Sequence, residues 1–155
     1  MTRQRKTSEW DWPGLADVRE REAAASYDPV PSEHQEQVWL FEWAGWRIRE
    51  IPQLALLWAN PNGGLRNKIT AAKLKAEGVK PGVPDLFLAV PVGDCHGLFI
   101  EMKKRRGGRL EPEQAEMLAQ LRQRGYACAV CRSWPEAVRV ILDYLGLPPA
   151  LGSLE

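Results

Sequence analysis

The sequence predicts an α/β domain with a central mixed β-sheet flanked by helices on both faces. Segments with helical spacing of apolar residues alternate with short runs of apolar, β-branched and aromatic residues. Their order is helix, strand, helix, strand, strand, helix, strand, helix. The chain has 155 residues, of which 45% are hydrophobic and 26% are charged, so it is large enough to bury one core.

The boundaries of these elements follow from capping and turn residues. Ser32 is a typical helix N-cap, and Gly78, Gly125 and Gly146 each stand where a helix is expected to end. The helix between the last two strands predicts a right-handed parallel crossover. Helices are predicted over 33–46, 68–77, 111–124 and 134–145, strands over 85–90, 97–103 and 126–131, and a buried strand or apolar turn over 54–59.

Residues 1–30 are predicted to form an N-terminal arm, and residues 31–150 the folded domain. The arm carries many charges and ends in a Pro-Val-Pro break. Trp10 and Trp12 are unusual in such an arm. We expect the arm to be flexible or to dock on the domain or a partner subunit, and base stacking by the two tryptophans is the less favoured alternative.

Two predicted strands bring charged side chains to one place. Asp85 opens the first strand after a Pro-Gly-Val-Pro turn, and Glu101 and Lys103 lie two apart in the second. Side chains two apart in a strand point to the same face, so Glu101 and Lys103 share one. Two carboxylates beside an ammonium group suit a divalent metal and an activated water. An ordinary surface ion pair at Glu101 and Lys103 is the alternative.

A basic loop directly follows the second of these strands. Its Lys104, Arg105, Arg106 and Arg109 are interrupted only by two glycines, which predict a pliable loop. The formal net charge of the chain is only +1, so the positive charge is local. Such a loop suits the backbone of a nucleic acid, and a solvated loop without a ligand is the alternative. Further lysines that could extend the surface are Lys68, Lys73, Lys75 and Lys80. Polar contacts could come from Asn62, in the loop 60–64, or from Arg66 after it.

The remaining composition indicates a cytoplasmic protein. Three cysteines without disulfide-rich spacing favour a reducing compartment. Cys128 and Cys131 lie in a predicted strand, which favours buried structural thiols over a redox or zinc site. No apolar run is long enough for a membrane span, and the N-terminus has no apolar segment of a secretion signal.

Several separated motifs resemble the VRR-NUC family, a branch of the PD-(D/E)XK nuclease superfamily often found alone in phages and bacteria. The resemblance runs from about Glu33 to Leu145. It rests on the segments 78–86, 97–103, 110–114 and 125–126, with support from the helix beginning at 32 and the loop 60–64. It implies a restriction-endonuclease-like core and a bacterial or phage-infected host cytoplasm.

The resemblance also implies roles for individual residues. Asp85 and Glu101 would bind Mg²⁺ or Mn²⁺, with a further oxygen from the backbone carbonyl of Met102. Lys103 would orient or deprotonate the attacking water. Glu33 would be an additional metal-binding or supporting carboxylate, with Glu36 as its rival. A last residue, Gln114, would contact the site or the scissile phosphate.

The function implied by the resemblance is metal-dependent DNA endonuclease activity. Cleavage is expected on branched or junction DNA in replication, repair or recombination, with a homodimer presenting two sites. A non-catalytic nucleic-acid-binding module with a retained nuclease fold is the alternative. A restriction-like enzyme that reads a short sequence is a third possibility, for which only the first 30 residues are spare.

Overall fold

The computed structural model describes residues 30–60 and 68–152. In chain order the elements are α1 (Glu33–Arg47), a 3₁₀ helix (Pro52–Leu56), β1 (Leu57–Ala59), α2 (Lys68–Ala76), β2 (Leu86–Leu88), β3 (Leu98–Met102), α3 (Pro112–Gln123), β4 (Ala127–Cys131), α4 (Trp134–Leu145) and a second 3₁₀ helix (Pro149–Gly152). None of the helices in these ranges is long and apolar enough to cross a membrane.

The four strands form one mixed sheet in the order β1-β2-β3-β4. The β1–β2 and β2–β3 pairs are antiparallel, while β3 and β4 are parallel and joined through α3. A parallel pair needs such a crossover, whereas antiparallel neighbours can be joined by a short connection. The predicted fold class, a mixed sheet with helices on both faces, is confirmed.

One face of the sheet forms the main core. Leu86, Leu88 and Ile100 are fully buried there beneath α1 and α4, which contribute Trp43 and Ile141. The α4 helix has an apolar stripe that is continuous along its length, which explains why it lies against both β3 and β4. The indole N–H of Trp43 donates to the carbonyl of Leu151, so the C-terminal 3₁₀ helix is also fixed to this core.

The opposite face of the sheet carries an aromatic cluster and the polar residues considered below. Phe87 stacks on Phe99 with ring centroids 4.2 Å apart, and Tyr126 packs edge-on against both rings. A Cβ at Gly97 would lie 2.7 Å from the Phe87 ring, so a glycine at this position leaves room for that ring. Helix α3 covers the part of this face nearest β4.

The helix ends follow the sequence prediction closely. The Ser32 hydroxyl accepts a hydrogen bond from the backbone N–H of Gln35, and Ser133 caps α4 in the same way. At the end of α2, Gly78 has φ +94°, its N–H donates to Lys75 and the N–H of Val79 donates to Leu74. These two bonds are those of a Schellman motif, which requires a left-handed residue.

The segment 54–59 differs from the prediction of a buried strand or turn. Its first part is the 3₁₀ helix, and only Leu57–Ala59 forms a strand. Because β1 is at the edge of the described sheet, it is covered incompletely, and Trp58 is 44% exposed. Leu56, the last residue of the 3₁₀ helix, is 48% exposed. Strands β2 and β3 are also shorter than predicted, and Asp85 precedes β2 instead of opening it. The predicted arm, residues 1–29, lies outside the described residues.

Candidate active site

Asp85 and Glu101 meet at one end of the β2–β3 pair. Leu86 pairs with Ile100, so extending the antiparallel register by one residue places Asp85 opposite Glu101. Directly opposed residues in an antiparallel pair point to the same face. The same extension on the other side places Asn60 opposite Asp85, and the Asn60 N–H donates to the Asp85 carbonyl at 2.7 Å. The predicted juxtaposition of the two carboxylates is therefore present.

The two carboxylate oxygens of Glu101 have different environments. Oε1 lies 2.9 Å from Nζ of Lys103 and accepts a 2.5 Å hydrogen bond from Nε2 of Gln114. Oε2 is buried and has no hydrogen-bond partner among the described residues. The Glu101 residue as a whole is only 1% exposed. An unpaired carboxylate oxygen in a buried position is costly unless a cation or another donor reaches it.

Burial and nearby negative charges raise the pKa of both Asp85 and Glu101. Burial raises the pKa of Glu101, and the neighbouring charge of Asp85 raises it further, while Lys103 and the backbone N–H of Asp85 oppose the rise. Burial also raises the pKa of Asp85, against the hydrogen bond from Met102 and the charge of Lys103, and the charge of Glu33 adds to the rise. A bound cation would relieve both the desolvation and the repulsion.

Backbone contacts on both sides hold Asp85 in place. Its Oδ2 accepts a 2.8 Å hydrogen bond from the backbone N–H of Met102 on β3. On the β1 side, Nδ2 of Asn60 donates to the carbonyl of Pro84 at 2.7 Å. Asn60 was not predicted to have a role at the site. Its position at the start of a turn-rich loop was the available signal, and its contact with the residue before Asp85 depends on the β1–β2 register.

Gln114 is fixed by the N-terminus of α3. Its Oε1 accepts from the backbone N–H of Glu111 at 3.0 Å, as the reciprocal half of a capping box. Its Nε2 is thereby turned toward Glu101. Gly82 lies against this same helix turn, because a Cβ at Gly82 would come within 2.5 Å of the Glu113 carbonyl oxygen. The φ of Gly82 is +78°, so both backbone geometry and space favour glycine.

The structure separates the two rival glutamates of α1. Glu33 lines the same cavity as Asp85 and Glu101, and its Oε1 accepts from the Lys104 N–H at 2.9 Å. Glu36 is 1% exposed and is not among the lining residues. Its Oε1 accepts from Nε of Arg105 at 2.5 Å, and its Oε2 accepts from the N–H of Trp134 at the start of α4. Glu36 therefore connects three elements, and Glu33 is the carboxylate that faces the cavity.

The basic loop is held by several contacts, in contrast to the pliability predicted from its glycines. The guanidinium group of Arg132 donates to the carbonyls of Lys104 and Gly108, at 3.2 and 2.9 Å. A Cβ at Gly108 would lie 2.7 Å from the Lys104 carbonyl oxygen, so this glycine permits a close approach. No local signal in the sequence indicates this role of Arg132, because its partners are more than twenty residues away.

The predicted nucleic-acid-binding residues differ in their availability. Lys104, Arg106 and Arg109 are exposed. Arg105 is paired with Glu36, and its side chain is 38% exposed. Asn62 and Arg66 lie outside the described residues, while Lys68 begins α2.

These residues surround one cavity of about 510 Å³. Asp85, Glu101, Met102 and Lys103 line its sheet side, and Glu33 and Gln114 contribute from α1 and α3. The rest of the lining comes from one continuous stretch at the end of α2 and the loop after it, namely Leu74, Lys75, Val79, Lys80, Pro81, Gly82 and Val83.

The donor set fits a hard divalent cation that retains water ligands. Within residues 30–60 and 68–152, no three His, Cys, Asp or Glu side chains are grouped as a complete metal site. Mg²⁺ is usually bound through one or two carboxylates and keeps several waters, so Asp85 and the unpaired Oε2 of Glu101 suit it. The cysteines do not contribute. In β4, Cys131 is buried in the core, which raises the pKa of its thiol to about 12. Cys128 lies opposite Phe99 on the other face of the sheet, but it does not line the cavity.

Comparisons with known proteins identify the family of this chain. The VRR-NUC domain profile matches residues 32–135, which include the candidate site residues described above. A solved structure named "VRR_NUC domain protein" is 29% identical in sequence, with a TM-score of 0.64, over 77% of this chain and 93% of that one. A comparison with curated proteins finds no match. The chain belongs to the VRR-NUC domain family, a nuclease-type family.

Proposed function

We propose that this protein is an Mg²⁺- or Mn²⁺-dependent endonuclease that hydrolyses DNA phosphodiester bonds, with a preference for branched or junction DNA. The observation that carries the proposal is the buried, unpaired Oε2 of Glu101 beside Asp85, in a cavity that also contains Lys103. Membership in a nuclease-type family supports the reaction class.

Asp85 and Glu101 would hold the cation, with the Met102 carbonyl as a further oxygen and Glu33 as an additional carboxylate. When bound, the cation supplies a lowered pKa for a water molecule and charge stabilisation at the phosphate. Asp85 keeps Oδ2 bonded to the Met102 N–H, which fixes the direction of its carboxylate. Gln114 and Lys103 both hold Oε1 of Glu101, which leaves Oε2 for the cation.

Lys103 is suited to two tasks. Its ammonium group lies 2.9 Å from Glu101 and offsets part of the negative charge that would repel a phosphate. Its side chain is 10% exposed and lines the cavity, so it can donate a hydrogen bond to a phosphate oxygen or orient an attacking water. The exposed Lys104, Arg106 and Arg109 would contact neighbouring phosphates without reading sequence.

The test is cleavage of a panel of labelled DNAs: a flap, a splayed arm, a four-way junction and a linear duplex. Each is incubated with Mg²⁺, Mn²⁺ or a chelator. We expect cation-dependent cutting of branched DNA in preference to linear duplex. Binding without cutting in any cation would instead support the alternative of a non-catalytic nucleic-acid-binding module. We also expect a homodimer, which light scattering on the purified protein measures directly.

A further inference from the structure

The cavity has a second wall whose chemistry the carboxylate site does not explain. This wall, residues 74–83, contributes Leu74, Lys75, Val79, Lys80, Pro81, Gly82 and Val83 to the lining. Lys75 and Lys80 are exposed and face a cavity whose other side carries Asp85 and Glu101. Within the described residues, neither lysine is paired with an acidic group. The lysine side of the cavity therefore favours an anionic group of a ligand, and the carboxylate side favours a cation.

The wall is fixed at both ends. The Schellman motif at Gly78 turns the chain back after α2, with the Val79 N–H bonded to the Leu74 carbonyl. At the other end, Gly82 lies against the backbone of Glu113 on α3. A lysine on a fixed backbone loses less freedom on binding than one on a loose loop, so the wall is preorganised to receive an anion.

Neighbouring Lys73 shows that the arrangement is selective. It lies on the same helix as Lys75 but does not line the cavity. Its side chain is 76% exposed, and its Nζ lies 3.9 Å from Oε1 of Glu77. Lys73 was among the lysines that could extend the basic surface, but its pairing with Glu77 and its place outside the cavity lining make it a control: its removal takes one charge from the same helix without changing the cavity.

We propose that Lys75 and Lys80 bind the DNA backbone next to the phosphate that is cut, so that the cleaved strand lies between the wall 74–83 and the carboxylates. This inference rests on the proposed nuclease function. A cavity of about 510 Å³ has the size of a small-molecule site, which corresponds to a short piece of one strand. The carboxylates and a cation account for one phosphate, and the two lysines account for those that flank it.

The test compares wild type, the Lys75→Ala/Lys80→Ala double variant and Lys73→Ala. Fluorescence anisotropy measures binding of a labelled splayed-arm DNA over a range of salt concentrations, with Ca²⁺ in place of Mg²⁺ so that binding is followed without turnover. We expect the double variant to bind about tenfold more weakly than wild type, and the slope of log K against log salt to fall by about 1.4. Lys73→Ala is expected to stay close to wild type in both measurements.

The outcomes separate this inference from the proposed function. If wild type neither binds nor cuts DNA, the nuclease function is wrong. If wild type binds and cuts, and the double variant keeps the wild-type salt slope or matches Lys73→Ala, the wall does not contact the backbone. The three proteins are expected to unfold at the same temperature, because the three lysines are exposed. If the double variant is destabilised, Lys75→Gln/Lys80→Gln takes its place.

Discussion

Gln114 donates a hydrogen bond from its side-chain Nε2 to Glu101, while its side-chain Oε1 accepts from the Glu111 N–H at the start of α3. The amide therefore has a fixed orientation, with Nε2 toward the carboxylate. Together with Lys103 it occupies Oε1 and leaves Oε2 buried and unpaired. The start of α3 is thus part of the candidate site, although the two carboxylates come from the β2–β3 pair.

Replacing Gln114 by Ala tests this positioning role. The loss of its hydrogen bond frees the Glu101 carboxylate to rotate. Removing a residue that hydrogen-bonds to a metal ligand commonly lowers metal affinity or activity by about 10- to 100-fold. We expect a loss of that size in the cleavage rate and a matching rise in the Mn²⁺ concentration required. Gln120→Ala, on the exposed side of the same helix, is the control and should leave both unchanged. Equal effects of the two changes would remove Gln114 from the site.

Gly82→Ala tests the contact between the wall 74–83 and α3. The new Cβ meets the Glu113 carbonyl oxygen at 2.5 Å, at a residue with φ +78°. We expect a loss of about 2–4 kcal/mol in the free energy of unfolding, from backbone strain and overpacking. At Gly78, φ is +94° but no atom lies within 4 Å of an added Cβ, so Gly78→Ala should cost only about 1 kcal/mol. Urea unfolding of both variants gives the comparison, and similar losses would contradict it.

Replacement by glutamine is expected to reduce stability at Glu36 and cleavage activity at Glu33. Glu36→Gln removes a buried charge from Arg105 and weakens the bond to the Trp134 N–H, so the free energy of unfolding should fall by about 1–3 kcal/mol. Glu33→Gln should change stability by less than about 0.5 kcal/mol and reduce cleavage. Denaturant unfolding and a cleavage assay on each variant measure this. A loss of activity confined to Glu36→Gln would reverse the assignment.

The raised pKa of Asp85 predicts a pH-dependent stability in the absence of a cation. Since the folded protein holds the proton more tightly than the unfolded chain, this group favours folding at low pH, and that contribution is lost as pH rises through its raised pKa. In the presence of a chelator, Asp85→Asn should therefore raise the free energy of unfolding near neutral pH. The gain should be about 1 kcal/mol or less, because solvent still screens the Asp85 carboxylate. Thermal unfolding of both proteins at acidic and neutral pH measures the difference, which should vanish in acid. A variant less stable than wild type at neutral pH would count against this.

The basic loop offers a comparison between free and paired arginines. Arg106 and Arg109 are exposed, whereas Arg105 is paired with Glu36. The double change Arg106→Ala/Arg109→Ala should weaken DNA binding and lower the salt slope by about 1.4 without loss of stability. Arg105→Ala should chiefly destabilise the fold, because it leaves Glu36 buried without its cation. An unchanged salt slope in the double variant would exclude the loop from the interface.

The sequence predicted the site where its signals are local. The alternation of side chains in β3 placed Glu101 and Lys103 on one face, and capping residues gave the helix ends at Ser32, Gly78 and Gly146. The approach of Asp85 to Glu101 was expected from two short strands, and the register confirms it.

The parts that could not be predicted depend on contacts distant in sequence. Nothing near Arg132 indicates that it holds the loop around Gly108, and nothing near Glu36 indicates that it accepts a hydrogen bond from the Trp134 N–H at the start of α4. The exposed position of Trp58 follows from β1 being an edge strand, which hydrophobicity alone does not reveal. The two glycines of the basic loop suggested pliability, whereas Gly108 permits a close contact with Lys104.

Electron paramagnetic resonance of Mn²⁺ tests most directly whether Asp85 and Glu101 bind a divalent cation, without any assumption about the substrate. The spectrum of free Mn²⁺ reports how much metal remains unbound as protein is added. We predict that wild type binds Mn²⁺ and that Asp85→Asn loses this binding while remaining folded by circular dichroism. Equal Mn²⁺ binding by the folded Asp85→Asn variant would contradict the account.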